Sequence, residues 1–296
     1  GSERHAEILR DALAPMGLPL LGVLHRDALI SAPSRHLGLV PVAEQGMQAA
    51  RIVEELARRV GQACDTEAIT RIAASAPALD AKPWAAPPAG APAAARACIA
   101  IAAGPAFSFL YAENLELLAA AGADIAVFDP TTDERLPDGA DALYLGGGFP
   151  EAHAPALSAN TSLRSKIADF VRAGRPVLAE CGGLLYLCES LDGLPMCGVI
   201  HAQAHMTEQL TLGYREAVAA ADSLWARGAV ARGHEFHYST VVPNSGQQAA
   251  WQLADGEREG FVVAGVHASY LHTHWAASPQ VAGRFVAAAA RQAVTA

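Results

Sequence analysis

The sequence predicts an α/β protein built on a mostly parallel sheet, and three observations carry that prediction. After residue 96, continuous apolar runs at 98–102, 124–128, 142–145 and 176–179 alternate with helical stretches at 114–121 and 163–173. Unbroken apolar strands belong to sheets covered on both faces, which is the parallel arrangement. Two of the strands also run straight into glycine turns, Gly146-Gly-Gly-Phe-Pro150 and Glu180-Cys-Gly-Gly183, at the carboxyl edge where such sheets gather function.

Ahead of that rhythm the pattern gives a helix at 4–13, an apolar strand at 18–24, a loop containing Arg35-His-Leu-Gly-Leu39 and a helix at 46–60. Residues 81–96 are dense in Pro and Ala with almost no charge, which reads as an extended linker. The expected organisation is therefore a first piece at 1–80, a linker at 81–96 and a second domain at 97–296. Too few strands precede the linker for a full sheet, so 1–80 reads as part of an α/β domain that is otherwise missing. From about residue 197 the segments become short and extended, at 210–219, 233–242 and 261–266, before a closing helix at 279–292.

The composition excludes several function classes. With 52% hydrophobic and 17% charged residues the chain is a well-filled globular one, and its net charge of −9 without a Lys/Arg run argues against nucleic-acid binding. No apolar stretch reaches spanning length without Gly, Pro or charge, so no membrane segment is expected. The five cysteines, Cys64, Cys98, Cys181, Cys188 and Cys197, are odd in number and scattered, and no leader opens the chain. A reducing cytoplasmic location is the expectation.

Cys181 is the candidate nucleophile. It stands between a short buried strand and an apolar helix, with Ala179 and Gly183 two residues to either side, as a strained strand-to-helix elbow requires. A position at a helix N-terminus favours the thiolate. The bland alternative is a structural cysteine, the commoner fate of this residue. A cysteine nucleophile needs a base, and His272 in Ser269-Tyr-Leu-His-Thr-His274 is placed to reach the same sheet edge. Gly147, Gly148 and Gly182 offer backbone N–H groups to a developing oxyanion, though a structural turn is as good a local reading. Together these residues describe acyl transfer through a thioester. In Gly233-His-Glu-Phe-His237 the histidines fall on opposite faces of an extended segment, unlike the helical His-Glu-x-x-His of zinc proteases, so no metal is expected; chelation by His272 and His274 is a minor alternative.

Five segments carry a resemblance: Leu145-Gly-Gly-Gly-Phe-Pro-Glu151, Ala179-Glu-Cys-Gly-Gly-Leu-Leu-Tyr-Leu187, Leu212-Gly-Tyr-Arg215, Arg232-Gly-His-Glu-Phe-His-Tyr-Ser239 and Ala268-Ser-Tyr-Leu-His-Thr-His274. With them the chain resembles the cobyrinate or hydrogenobyrinate a,c-diamide synthases along essentially its whole length. Arg26-Asp27 and Arg35-His-Leu-Gly-Leu-Val-Pro41 are similar to the end of that family's synthetase domain. The resemblance implies a class I glutamine amidotransferase domain of flavodoxin-like fold from about Arg96, preceded by a partial dethiobiotin-synthetase-like domain. It also implies glutamine as nitrogen donor, cobyrinic or hydrogenobyrinic acid as acceptor, and ATP with Mg²⁺ to activate the acetate side chains. By position Cys181 becomes the nucleophile and His272 its activator, with His274 where many class I enzymes carry a glutamate. Glu180, Arg35, His36, His234, Glu235 and His237 are candidates for substrate or interface contacts, Glu180 equally for a buried acid and Arg35 and His36 for loop support. A homodimer is left open.

No Gly-x-x-x-x-Gly-Lys-Ser/Thr phosphate loop occurs in the chain, so it is expected to hydrolyse glutamine without amidating alone. The alternatives are a cysteine hydrolase of the same fold, a cobyric acid synthase-type amidotransferase, and a catalytically silent binding domain.

Overall fold

The computed structural model describes residues 2–25, 42–87 and 96–293, which fall into two compact units divided between Trp84 and Ala85. Among its described residues the first unit is helical: α1 (Glu3–Leu13), α2 (Val42–Ala63) and α3 (Thr66–Ala74). Ser2 caps α1 by accepting from the His5 N–H, and Asp65 caps α3 by accepting from the Ala68 N–H, each satisfying an orphan donor of the first turn. The strand expected at 18–24 is a single bridge between Gly22 and Cys64. Pro19 removes a ladder donor, and the described residues of this unit offer no second strand to pair with. The helix α3 was not marked out by the sequence pattern. Arg35 and His36 lie outside the described residues.

The second unit is the α/β domain. Its first sheet contains β1 (Ala97–Ala102), β2 (Ala123–Phe128), β3 (Ala140–Leu145) and β4 (Val177–Glu180), with α4 (Ala112–Ala120), α5 (Ala154–Ala159) and α6 (Thr161–Arg172) in the crossovers. After β4 come α7 (Gly182–Leu187), β5 (Cys188–Leu191), β6 (Leu194–Pro195), a long hairpin of β7 (Ile200–Ala219) and β8 (Val230–Val242), then β9 (Trp251–Leu253) and β10 (Arg258–Glu259). β11 (Phe261–Val263), β12 (Val266–Ser269), β13 (His272–Thr273) and α8 (Gln280–Ala293) close the chain. The first sheet runs β11-β12-β4-β3-β1-β2, parallel except for β11. From β2 to β12 this is the doubly wound, flavodoxin-like order, as the sequence predicts.

Period-2 alternation sorts each strand between two cores. Ala100 and Ala102 of β1, Leu143 and Leu145 of β3, and Val177 and Ala179 of β4 pack with α5, α6 and α7. Ile99, Ile101, Ala142, Tyr144 and Leu178 face the opposite way, against α4 and α8. With both faces covered, the loops at the carboxyl ends of β1, β3, β4 and β12 are left to build a site.

The extended region after 197 forms a second, largely antiparallel sheet in which β8 pairs with β7 and also with β13. The single strand expected at 261–266 is a hairpin instead. Ala264 and Gly265, both at positive φ, reverse the chain between β11 and β12.

Candidate active site

Cys181 sits at φ 49°, ψ −99°, a conformation that L-residues avoid and that persists only when its surroundings impose it. Three contacts do so here. Its own N–H donates to Ser269 O at 2.8 Å, the Gly183 N–H donates to Gly146 O at 3.0 Å, and a Cβ at Gly183 would overlap the Leu145 carbonyl. The elbow read from the sequence is therefore present, and Gly183 is required by close approach of β3.

The thiol's charge is a correction. The side chain is 6% exposed, and burial, reinforced by the negative charge of Glu151, pushes the thiol up to about 12. The Gly182 N–H works in the opposite sense, but α7 has only six residues and its field does not offset the lost hydration. Burial therefore favours the neutral thiol over the thiolate at Cys181.

The glycine turn after β3 lies against this elbow. A Cβ on Gly182 would stand 3.1 Å from the Gly148 nitrogen, and one on Gly147 would stand 2.5 Å from His272 Cε1. Gly182 thus meets both Gly147 and Gly148, and the imidazole meets Gly147. Of the expected oxyanion donors, Gly147 is committed: its N–H donates to Phe109 O at 3.0 Å. The Gly148 and Gly182 N–H groups have no backbone acceptor among the described residues. Gly148 also needs its glycine, with φ 155° and no room for a Cβ beside Ala106 O.

His272 is 4% exposed and carried by β13, which pairs with β8 so that His272 faces His234. The two rings stack with centroids 4.9 Å apart, and Phe109 presses edge-on at 4.9 Å. Burial, aided by His234 and His237, pushes His272 down to about 3, which favours the neutral imidazole. Its Nδ1 is buried without a hydrogen-bond partner among the described residues. Gly233 allows β13 to approach, since a Cβ there would overlap the His272 carbonyl.

His274 does not support His272. It lies edge-on to Tyr111 at 4.7 Å with Nε2 3.4 Å from Glu113 Oε2, just past the end of β13. Both histidines do border one cavity of about 480 Å³, shared with Tyr111, Tyr214 and Arg215. His237 stacks on Tyr270 at 3.8 Å, and burial pushes it down to about 4. Among the described residues no group of three or more His, Cys, Asp or Glu is placed to hold a metal ion.

Glu180 is a buried acid, 4% exposed, whose carboxyl accepts from Tyr144 and twice from Thr273. A second buried acid, Glu259, accepts from Ser269 Oγ at 2.8 Å and the Tyr270 N–H at 2.7 Å. Glu235 pairs with Arg215, Nε to Oε2 at 2.7 Å. Arg215 had no role in the sequence reading although its motif was noted. Gly213 carries the local signal: a Cβ there would stand 2.6 Å from the Arg215 guanidinium, so glycine lets the side chain fold back toward Glu235. The pair also lines a polar cavity of about 660 Å³ with His237, Glu259 and Tyr270.

Residues 98–280, the span that holds this cysteine, its glycine turn and the histidine, match the family model described as a CobB/CobQ-like glutamine amidotransferase domain. The chain belongs to that family. Curated relatives of this CobB/CobQ-like amidotransferase include a protein named hydrogenobyrinate a,c-diamide synthase from Streptomyces coelicolor, 50% identical over 96% of this chain and 65% of that protein. One of the same name from Thermobifida fusca is 48% identical, over 99% and 65%. A cobyrinate a,c-diamide synthase from Gloeobacter violaceus is 43% identical, over 97% and 63%. The amidotransferase chain thus spans a little under two thirds of the length of the relatives it matches.

Proposed function

We propose that this chain carries the glutaminase site of a corrinoid a,c-diamide synthase. The observation that supports it most is the cysteine held at positive φ, with the Gly148 and Gly182 N–H groups beside it and His272 against the same glycine turn. In the proposed reaction His272 takes the Cys181 proton as sulfur attacks the side-chain amide carbon of glutamine. The oxygen, now negative, is met by the two N–H groups. His272 returns the proton to the departing nitrogen, the C–N bond breaks, and ammonia leaves a thioester. Water, deprotonated by the same imidazole, then attacks the thioester to give glutamate and restore the thiol.

With relatives named hydrogenobyrinate and cobyrinate a,c-diamide synthase, the acceptor in this reading is cobyrinic or hydrogenobyrinic acid, and ATP with Mg²⁺ as the activating pair is what the resemblance implies. The residues present do not fit the nucleotide, since no phosphate-loop pattern occurs in the 296 residues, and no step through ATP is assigned to them. The five cysteines are all free, and among the described residues no helix is long and apolar enough to cross a membrane; a cytoplasmic location is proposed with this reading.

Glutamine must also be recognised by its amino-acid head. Arg215 and Glu235 offer opposite charges to its carboxylate and ammonium groups, and burial raises Glu235 even with the Arg215 guanidinium beside it. Ammonia release from glutamine tests the assignment. Arg215→Ala is expected to raise KM for glutamine by roughly 10- to 100-fold, the worth of one charge-assisted contact, with kcat within about threefold. An unchanged KM would remove Arg215 from the binding site.

A further inference from the structure

The buried polar cluster behind the nucleophile takes no part in the steps above, yet it joins the two residues that do. Glu180 is bonded through the chain to Cys181, and Thr273 to His272. The Glu180 carboxyl accepts from the Thr273 N–H at 3.1 Å and from its hydroxyl at 2.7 Å through the same oxygen, while the other oxygen accepts from Tyr144 Oη at 2.9 Å. Asn114 donates to Thr273 O at 3.0 Å and accepts from the Trp275 N–H at 2.9 Å, and the Trp275 indole donates to the Thr273 hydroxyl at 3.0 Å. None of the side-chain nitrogens or oxygens of Glu180, Thr273, Asn114 and Tyr144 is left unpaired, the condition under which a buried network is rigid rather than costly.

His272 itself is held differently. Its Nδ1 has no partner among the described residues, so no hydrogen bond there fixes the imidazole. The ring is placed by stacking and by its backbone, and β13 supplies only two ladder residues. The parallel pairing of β12 with β4 ends at Ser269 opposite Glu180, three residues short of the base. Past that point the Glu180 carboxyl ties the end of β4 to Thr273, the residue next to the base.

We infer that Glu180 is a positioning residue, which holds His272 in register with Cys181 by binding Thr273 rather than the imidazole. This rests on the glutaminase reading of Cys181 and His272, and its test separates the two. Four variants of the full chain, Glu180→Gln, Thr273→Val, Thr273→Ser and the double Glu180→Gln/Thr273→Val, are compared for glutamine turnover. They are also compared for the rate at which iodoacetamide alkylates Cys181, followed by peptide mass mapping.

Glu180→Gln and Thr273→Val are each expected to lower kcat about tenfold with KM within about twofold, and Thr273→Ser, which keeps the hydroxyl, to retain the parent value. The double variant is expected to lose no more than the worse single one, because both remove the same tie. Cys181 alkylation is expected to slow about tenfold in Thr273→Val, which changes no charge, whatever the outcome with glutamine. Losses that multiply in the double variant, or folded single variants with parental kcat and alkylation rates, would overturn the positioning role. A parent that releases no ammonia while its alkylation rate still falls in Thr273→Val would instead overturn the glutaminase reading and leave the positioning role standing.

Discussion

Replacing Cys181 by alanine is expected to lower ammonia release from glutamine by about 10⁴-fold or more, because no other group can form the thioester. Cys188 and Cys197 are buried in the core beneath the elbow and offer no substitute sulfur. The same position carries a second, separable effect. Alanine keeps a Cβ at φ 49° and so keeps the strain, whereas glycine adopts that conformation freely. Cys181→Gly is therefore expected to be as inactive as Cys181→Ala but more stable than it by about 1–3 kcal/mol in urea unfolding. Equal stability of the two variants would show that the backbone there is relaxed, and wild-type turnover in either would end the assignment of Cys181.

Stability against pH should show the second large effect. Burial holds His267 and His272 at about 3 and His237 at about 4, below the ~6.5 of a free imidazole. Each contributes stability present above about pH 6.5 and lost as pH falls toward those values, because the unfolded chain takes up protons that the folded chain refuses. Burial also raises Glu180 to about 7 and Glu259 to about 8. Their contribution has the opposite sense: it is complete below the ~4.3 of a free glutamate and lost as pH climbs through 7 and 8.

One proton of difference between folded and unfolded chains gives a slope of about 1.4 kcal/mol per pH unit. Between about pH 4.3 and 6.5 the imidazoles and carboxyls nearly cancel and stability rises gently. Below that window the imidazoles prevail, and stability is expected to fall by about 2 kcal/mol per unit, tapering near pH 3 as they protonate in the folded chain; above it the carboxyls prevail, with a decline of about 1 kcal/mol per unit up to pH 8. The urea midpoint, followed by fluorescence of the buried Trp225, Trp251 and Trp275, should peak near pH 6.5. A midpoint level from pH 5 to 8 would mean that these groups are solvated.

The parallel sheet and its elbow were legible because their signals are local. β1, β3 and β4 are unbroken apolar words, and the glycines after β3 and β4 sit where a Cβ would strike backbone. What stayed hidden is non-local. Nothing near Arg215 in the chain names Glu235, twenty residues away across a hairpin, and nothing near Glu180 names Thr273, ninety-three residues on. The β11–β12 hairpin hid inside one apolar word because its turn, Ala264-Gly265, interrupts the hydrophobicity too little. The burial of Cys181 stayed hidden for a related reason. The start of a helix is visible in sequence, whereas the depth at which it is buried is set by β3, β12 and the glycine turn together.

That depth also bears on how long the enzyme lasts. A sulfur that burial holds toward its neutral form reacts more slowly with peroxide and stray electrophiles, which attack the anion. Selectivity for substrate and resistance to chemical ageing then come from a single cause, the withdrawal of water from one atom.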